Sequence, residues 1–124
     1  MNIPNWAELS TRKLCEWLVE LCVRQHVAAK RLDTATYNQI HDWIYGITQD
    51  LLARGDEGRA VFRSLLVHED ANVRLKSAAA CLRFAPDLGI PVLENLDRGE
   101  DLEIGAMAGV ALQMWREGDF PPKK

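Results

Sequence analysis

The stretch Asp70-Ala-Asn-Val-Arg-Leu-Lys-Ser-Ala-Ala-Ala-Cys-Leu-Arg-Phe-Ala85 restricts the fold more than any other part of the chain. His68, Glu69 and Asp70 make a polar opening, and Asp70 has the side chain of a helix N-cap. Val73, Ser77, Ala78, Cys81, Leu82 and Ala85 then recur three or four residues apart, which places them on one helical face. Four of these six residues are small. A helix lined with small side chains lets a neighbouring helix approach closely. An apolar segment around Gly58 to Val67 precedes it, so the two read as helix, tight turn and antiparallel helix.

This order of apolar helix, Asp-containing turn, Val-Arg and alanine-rich helix resembles a HEAT-like repeat. The resemblance implies that Asp70 caps the second helix and that Arg74 helps tie neighbouring repeats together. Neither role is catalytic. It points to a scaffold or binding module.

The rest of the chain fits an all-α fold of about six helices in antiparallel pairs, a HEAT-like or armadillo-type α-α superhelix. After a lead-in over residues 1–9, with Pro4 before an anchor at Trp6, Ser10 or Thr11 caps a first helix running to about Lys30. Its stripe is Leu14, Leu18, Leu21, Cys22 and His26 or Val27, with Trp17 to one side. A second helix is expected from about Thr34 to Ala53, where Tyr37, Ile40, Ile44, Ile47 and Leu51 give the cleanest amphipathic pattern. Arg54 and Gly55 read as its end, with the glycine as C-cap. Gly46 inside it costs about 1 kcal/mol relative to alanine, which either close packing or simple tolerance explains. Pro86 interrupts the pattern and a short fifth helix follows, with Ile90, Leu93 and Leu96 inward. A polar turn, Asp97 to Asp101, leads to a last helix from about Leu102 to Glu117 carrying Ile104, Ala108, Ala111, Leu112 and Trp115. Ala-Gly-Val-Ala-Leu at 108–112 echoes Ala-Ala-Ala-Cys-Leu at 78–82, about one repeat length later.

At 124 residues a single domain over 1–124 is expected, with 118–124 as a tail, and a chain of this size buries enough surface for a core without staples. The net charge of −3 gives nonspecific nucleic-acid binding no electrostatic support. Three cysteines, Cys15, Cys22 and Cys81, in helical contexts argue against a disulfide framework and for a reducing compartment. With no basic-then-apolar leader and no apolar run of spanning length, the expected location is the cytoplasm, without a membrane partner.

Beyond the generic repeat, the chain resembles a bacterial family known only as a domain of unknown function, numbered two thousand and nineteen, over roughly residues 10 to 124. The matching stretches are Thr36-Tyr-Asn-Gln-Ile40, Leu51-Leu-Ala-Arg-Gly55, Leu66-Val-His-Glu-Asp-Ala-Asn-Val-Arg-Leu-Lys-Ser-Ala-Ala80, Phe84-Ala-Pro-Asp87 and Pro91-Val-Leu-Glu94. The ending Trp115-Arg-Glu-Gly-Asp-Phe120 fits the family's habit of a helix closing on a Gly-x-Phe tail. The resemblance implies a compact HEAT-like helical domain and brings no catalytic residue. Small proteins of this kind are often encoded beside secreted toxins, which suggests an immunity role by analogy.

Chemistry is sparse. Cys15, Cys22 and His26 share a face of the first helix, and His41 lies on the next, but cysteines on an apolar stripe are ordinary core residues and no metal-ligand spacing accompanies them. His41-Asp42 and His68-Glu69-Asp70 place imidazoles beside carboxylates in directions that do not converge on a helix. With no nucleophile elbow or phosphate-binding glycine loop, neither an enzyme nor a cofactor is expected.

Four tryptophans, Trp6, Trp17, Trp43 and Trp115, either fill between helices or anchor a partner, and Trp43 is the candidate anchor because it lies outside its helix's stripe. From Phe84 to Phe120 eight acids face only Arg98 and Arg116. Such a segment is either a solvated face or the contact for a basic protein, a toxin domain whose cationic cleft carboxylates fill in place of phosphates. Glu94, Asp97, Glu100, Asp101 and Glu103 are the candidates, because the turn near Gly99 presents several together. The leading expectation is a non-enzymatic immunity protein. A structural adaptor within a larger assembly is the alternative, and exposed end faces leave room for a homodimer.

Overall fold

The computed structural model describes residues 2–120. Among them are six α-helices and no β-strand: α1 (Thr11–Lys30), α2 (Thr34–Ala53), α3 (Asp56–Leu65), α4 (Ala71–Cys81), α5 (Pro86–Asp97) and α6 (Leu102–Arg116), preceded by a 3-10 turn at Trp6–Glu8. Of the expected lead-in and tail, residues 1 and 121–124 lie outside the described residues. The chain divides into two compact units, the first running to Val61 and the second beginning at Phe62.

In the first unit α1 packs along α2. The Ser10 hydroxyl starts α1 by accepting from the Lys13 N–H at 3.1 Å, and the Asp33 carboxylate starts α2 by accepting from Thr36 at 3.2 Å. Leu14, Leu18, Leu21 and Cys22 of α1 and Ile40, Ile44, Ile47 and Leu51 of α2 are buried, and each buried aliphatic side chain contributes about 1.5–3 kcal/mol. The α1 stripe then continues through Gln25 and Ala28, whereas His26 is half-buried and Val27 is exposed. Positions 14, 18, 21, 25 and 28 keep the helical period, and 26 and 27 fall past its edge.

Three helix ends pass through left-handed backbone. Gly55 (φ 70°) and Gly118 (φ 78°) follow α2 and α6, as expected where the absence of Cβ removes the steric penalty. After α1 the same place is taken by Leu32, at φ 57°. The Leu32 N–H reaches the Ala29 carbonyl and the Asp33 N–H reaches Ala28, so the chain reverses there and delivers Asp33 to cap α2. A leucine in this conformation costs about 1–2 kcal/mol.

The lead-in is held by Arg54. Its guanidinium pairs with Asp50 at 2.9 Å and donates to the Thr11 hydroxyl (3.1 Å) and to the carbonyls of Trp6 (3.3 Å) and Leu9 (2.7 Å). Trp6 meets Trp17 edge to face, with ring centroids 5.6 Å apart. Gly46 makes room for it: a Cβ there would lie 3.1 Å from the Trp6 indole nitrogen. Close packing therefore explains that glycine.

The second unit is built on α4, α5 and α6. Asp70 caps α4 by accepting from the Val73 N–H at 2.9 Å, and His68 Nδ1 accepts from the Asp70 N–H at 3.0 Å. Arg74 departs from its expected role: its Nη1 donates to the carbonyls of His68 (2.7 Å) and Glu69 (3.0 Å), locking its own turn. The helix ends at Cys81 and not at Ala85, because the residue before a proline is pushed out of the helical region. Ala85 is extended (φ −149°, ψ 65°) and Pro86 opens α5. The close partners of α4 are α5 and α6, and not α3 as the hairpin reading implied. Its small face is met by Gly89 of α5, where a Cβ would stand 2.6 Å from the Ala78 carbonyl oxygen.

Leu75, Ala78, Leu82, Leu93, Leu96, Ile104, Ala108 and Leu112 form one core cluster, with Trp115 and Phe120 packed against it. The echoed positions Ala78 and Ala108, and Leu82 and Leu112, are thus core in both copies. Gly118 turns the tail back, and Phe120 lies under the Arg83 guanidinium at 5.9 Å.

Candidate functional site

The α5–α6 turn carries the acidic candidates. α5 closes on Arg98, whose N–H reaches the Glu94 carbonyl, and the Gly99 N–H reaches Leu96. Asp101 then opens α6, its Oδ1 accepting from the Ile104 N–H at 3.1 Å. Asp97, Glu100 and Glu103 are exposed on either side of this corner. The turn therefore brings them into one neighbourhood.

The five carboxylates do not share one role. Asp101 is a helix cap, which corrects its assignment as a freely presented contact residue. Glu103 sits in the first turn of α6, where the positive end of the helix dipole favours it. Glu94 approaches Arg116 at 3.9 Å, both side chains well exposed, an arrangement that contributes little. Glu94 and Asp97 lie in the last turn of α5, which holds no basic residue. The dipole disfavours carboxylates at that end.

Trp43 belongs to the first unit. It lines a shallow cleft of about 360 Å³ with Arg24, Ala35, Thr36, Gln39 and Ile40. It is partly exposed, as its place outside the α2 stripe required. Trp6, Trp17 and Trp115 have packing roles.

Cys22 and Cys81 are fully buried and Cys15 is half-buried. Burial, and then the neighbouring Glu16, pushes the Cys15 thiol up; burial pushes Cys81 up to about 11, with Arg63 opposing. Among the described residues no three His, Cys, Asp or Glu side chains gather as metal ligands would. No helix among them is long and apolar enough to cross a membrane.

Sequence reasoning missed Arg54 as a clasp and Leu32 as a strained, exposed residue. The first leaves no local signal, since its partners lie up to 48 residues away. The second was legible, because the cap at Asp33 leaves only Arg31 and Leu32 to reverse the chain.

A family model described as "Domain of unknown function (DUF2019)" matches residues 12–116. Among solved structures, the "Crystal Structure of the Protein RPA1889 from Rhodopseudomonas palustris CGA009" is similar, with a TM-score of 0.88 at 24% identity, covering 98% of this chain and 100% of that chain. At that identity the likeness speaks for the all-α fold alone. No curated protein matches the chain.

Proposed function

This chain belongs to the DUF2019 family, and from that premise we propose that it is a non-enzymatic protein-binding module whose acidic α5–α6 turn engages a basic partner. The observation that carries the reading is the placement of Glu94 and Asp97 at the negative end of α5, with no basic residue in that turn. Helix stability works against carboxylates there, so their presence suits a contact outside the fold. The Asp-capped α4 and Asp-capped α6, with matching core alanine and leucine, support a HEAT-like reading of the helices. Such repeats present faces for binding. In its sharpest form the partner is a bacterial toxin with a cationic, nucleic-acid-binding cleft, and this chain is its immunity protein.

The test uses Glu100→Lys combined with Glu103→Lys. Asp101 stays, because it holds α6. The tagged chain serves as bait in lysate of its own source, and circular dichroism checks that the helices persist. The expected outcome is recovery of one basic, toxin-like domain by the parent and its loss with the double variant. Recovery of a multi-subunit complex that the double variant binds equally well would overturn the reading in favour of an adaptor.

A further inference from the structure

Two leucines stand out of the surface, one among bases and one among acids. Leu32 is 87% exposed and Leu102 is 85% exposed. Leu32 occupies a left-handed helix end that glycine fills after α2 and α6, so the fold bears its strain without burying its side chain. Lys30 and Arg31 precede it, Val27 is exposed one turn back, and the cleft of Arg24, Ile40 and Trp43 opens on the same pair of helices. This end of the α1–α2 hairpin is apolar with a basic border. Leu102 has the reverse setting: Glu100 and Glu103 flank it, and Asp97 lies just before the turn.

We propose that Leu102 of one copy, with its flanking carboxylates, docks on the Leu32–Trp43 end of a second copy. An apolar side chain between acids is the occupant that an apolar cleft bordered by bases would accept. The chain itself supplies that segment. The contact joins two different surfaces, so it is head-to-tail, and each copy in a pair keeps one surface of each kind available. It stands independently of the toxin-binding reading, although a basic partner on the acidic turn would compete with it.

Sedimentation velocity of the purified chain, from micromolar to near-millimolar concentration, tests this. The expected result is association that rises with concentration and weakens with salt. Leu32→Asn keeps a residue type that tolerates the left-handed backbone, and Leu102→Gln alters only an exposed side chain. Each alone should weaken association by about tenfold or more. Mixed together, each variant retains the surface the other lacks, so the mixture should form one-to-one dimers that grow no further. A chain that stays monomeric throughout, single variants that associate like the parent, or a mixture that fails to pair would each overturn the proposal.

Discussion

Replacing Gly89 and Gly109 by alanine, one at a time, tests the packing of the second unit with a built-in control. Both lie inside helices, so each substitution gains roughly 1 kcal/mol of helix propensity. The surroundings decide the sign. At Gly89 the new Cβ would stand 2.6 Å from the Ala78 carbonyl oxygen and 3.3 Å from Cys81 Cβ, atoms of a packed α4. α5 must back away from the core, and overpacking of this kind costs about 1–3 kcal/mol. The net expectation is a loss of about 1 kcal/mol. At Gly109 the new Cβ meets Asp97 Oδ1 at 3.0 Å, the far end of an exposed side chain that can rotate aside. There the propensity gain survives, and a rise of about 0.5–1 kcal/mol is expected. Urea unfolding followed by far-ultraviolet circular dichroism reads both. If Gly89→Ala proved as stable as the parent, the claim that α4 and α5 touch through backbone would be wrong.

Arg54→Met keeps an apolar stem but removes the ion pair to Asp50 and the bonds to Thr11, Trp6 and Leu9; a loss of about 2–3 kcal/mol is expected, and a change below roughly 0.5 kcal/mol in urea titration would deny the clasp. Ser77 is fully buried with no hydrogen-bond partner for its hydroxyl, so Ser77→Ala should stabilise by about 1 kcal/mol; thermal unfolding at a lower temperature than the parent would contradict this. Cys81 holds its proton in the native state up to a pKa of about 11, above the ordinary 9.0. The unfolded chain loses that proton first, so stability should be unaffected below about pH 9 and fall as pH rises toward about 11. Cys81→Ala should flatten the fall in urea midpoints across that window; an unchanged slope would assign it elsewhere.

Where the sequence was informative, a local mechanism was at work. The α2 limits follow from one cap and an unbroken stripe, and Thr34–Ala53 is where they fall. The end of α4 was misplaced because the apolar period runs on past Cys81, while Pro86 acts one residue upstream of itself and turns Ala85 out of the helix. Asp101 was read as a contact residue although an aspartate just before an apolar helix is itself the sign of a cap. Arg74 shows the limit of analogy: its guanidinium found carbonyls five and six residues back. The clasp at Arg54 and the Trp6–Trp17 contact leave no periodic trace, and only the folded chain brings them together.

The same clasp has a consequence for the order in which the chain is made. Trp6 and Leu9 offer their carbonyls to a guanidinium that lies 48 and 45 residues further on. At a synthesis rate of about 5–20 residues per second, roughly two to ten seconds separate the emergence of the two ends of that contact. Until Arg54 arrives, the first segment to leave the ribosome lacks its fastener, and the indole of Trp6 is available to other surfaces. The earliest-made residues of this protein are among the last to be fixed.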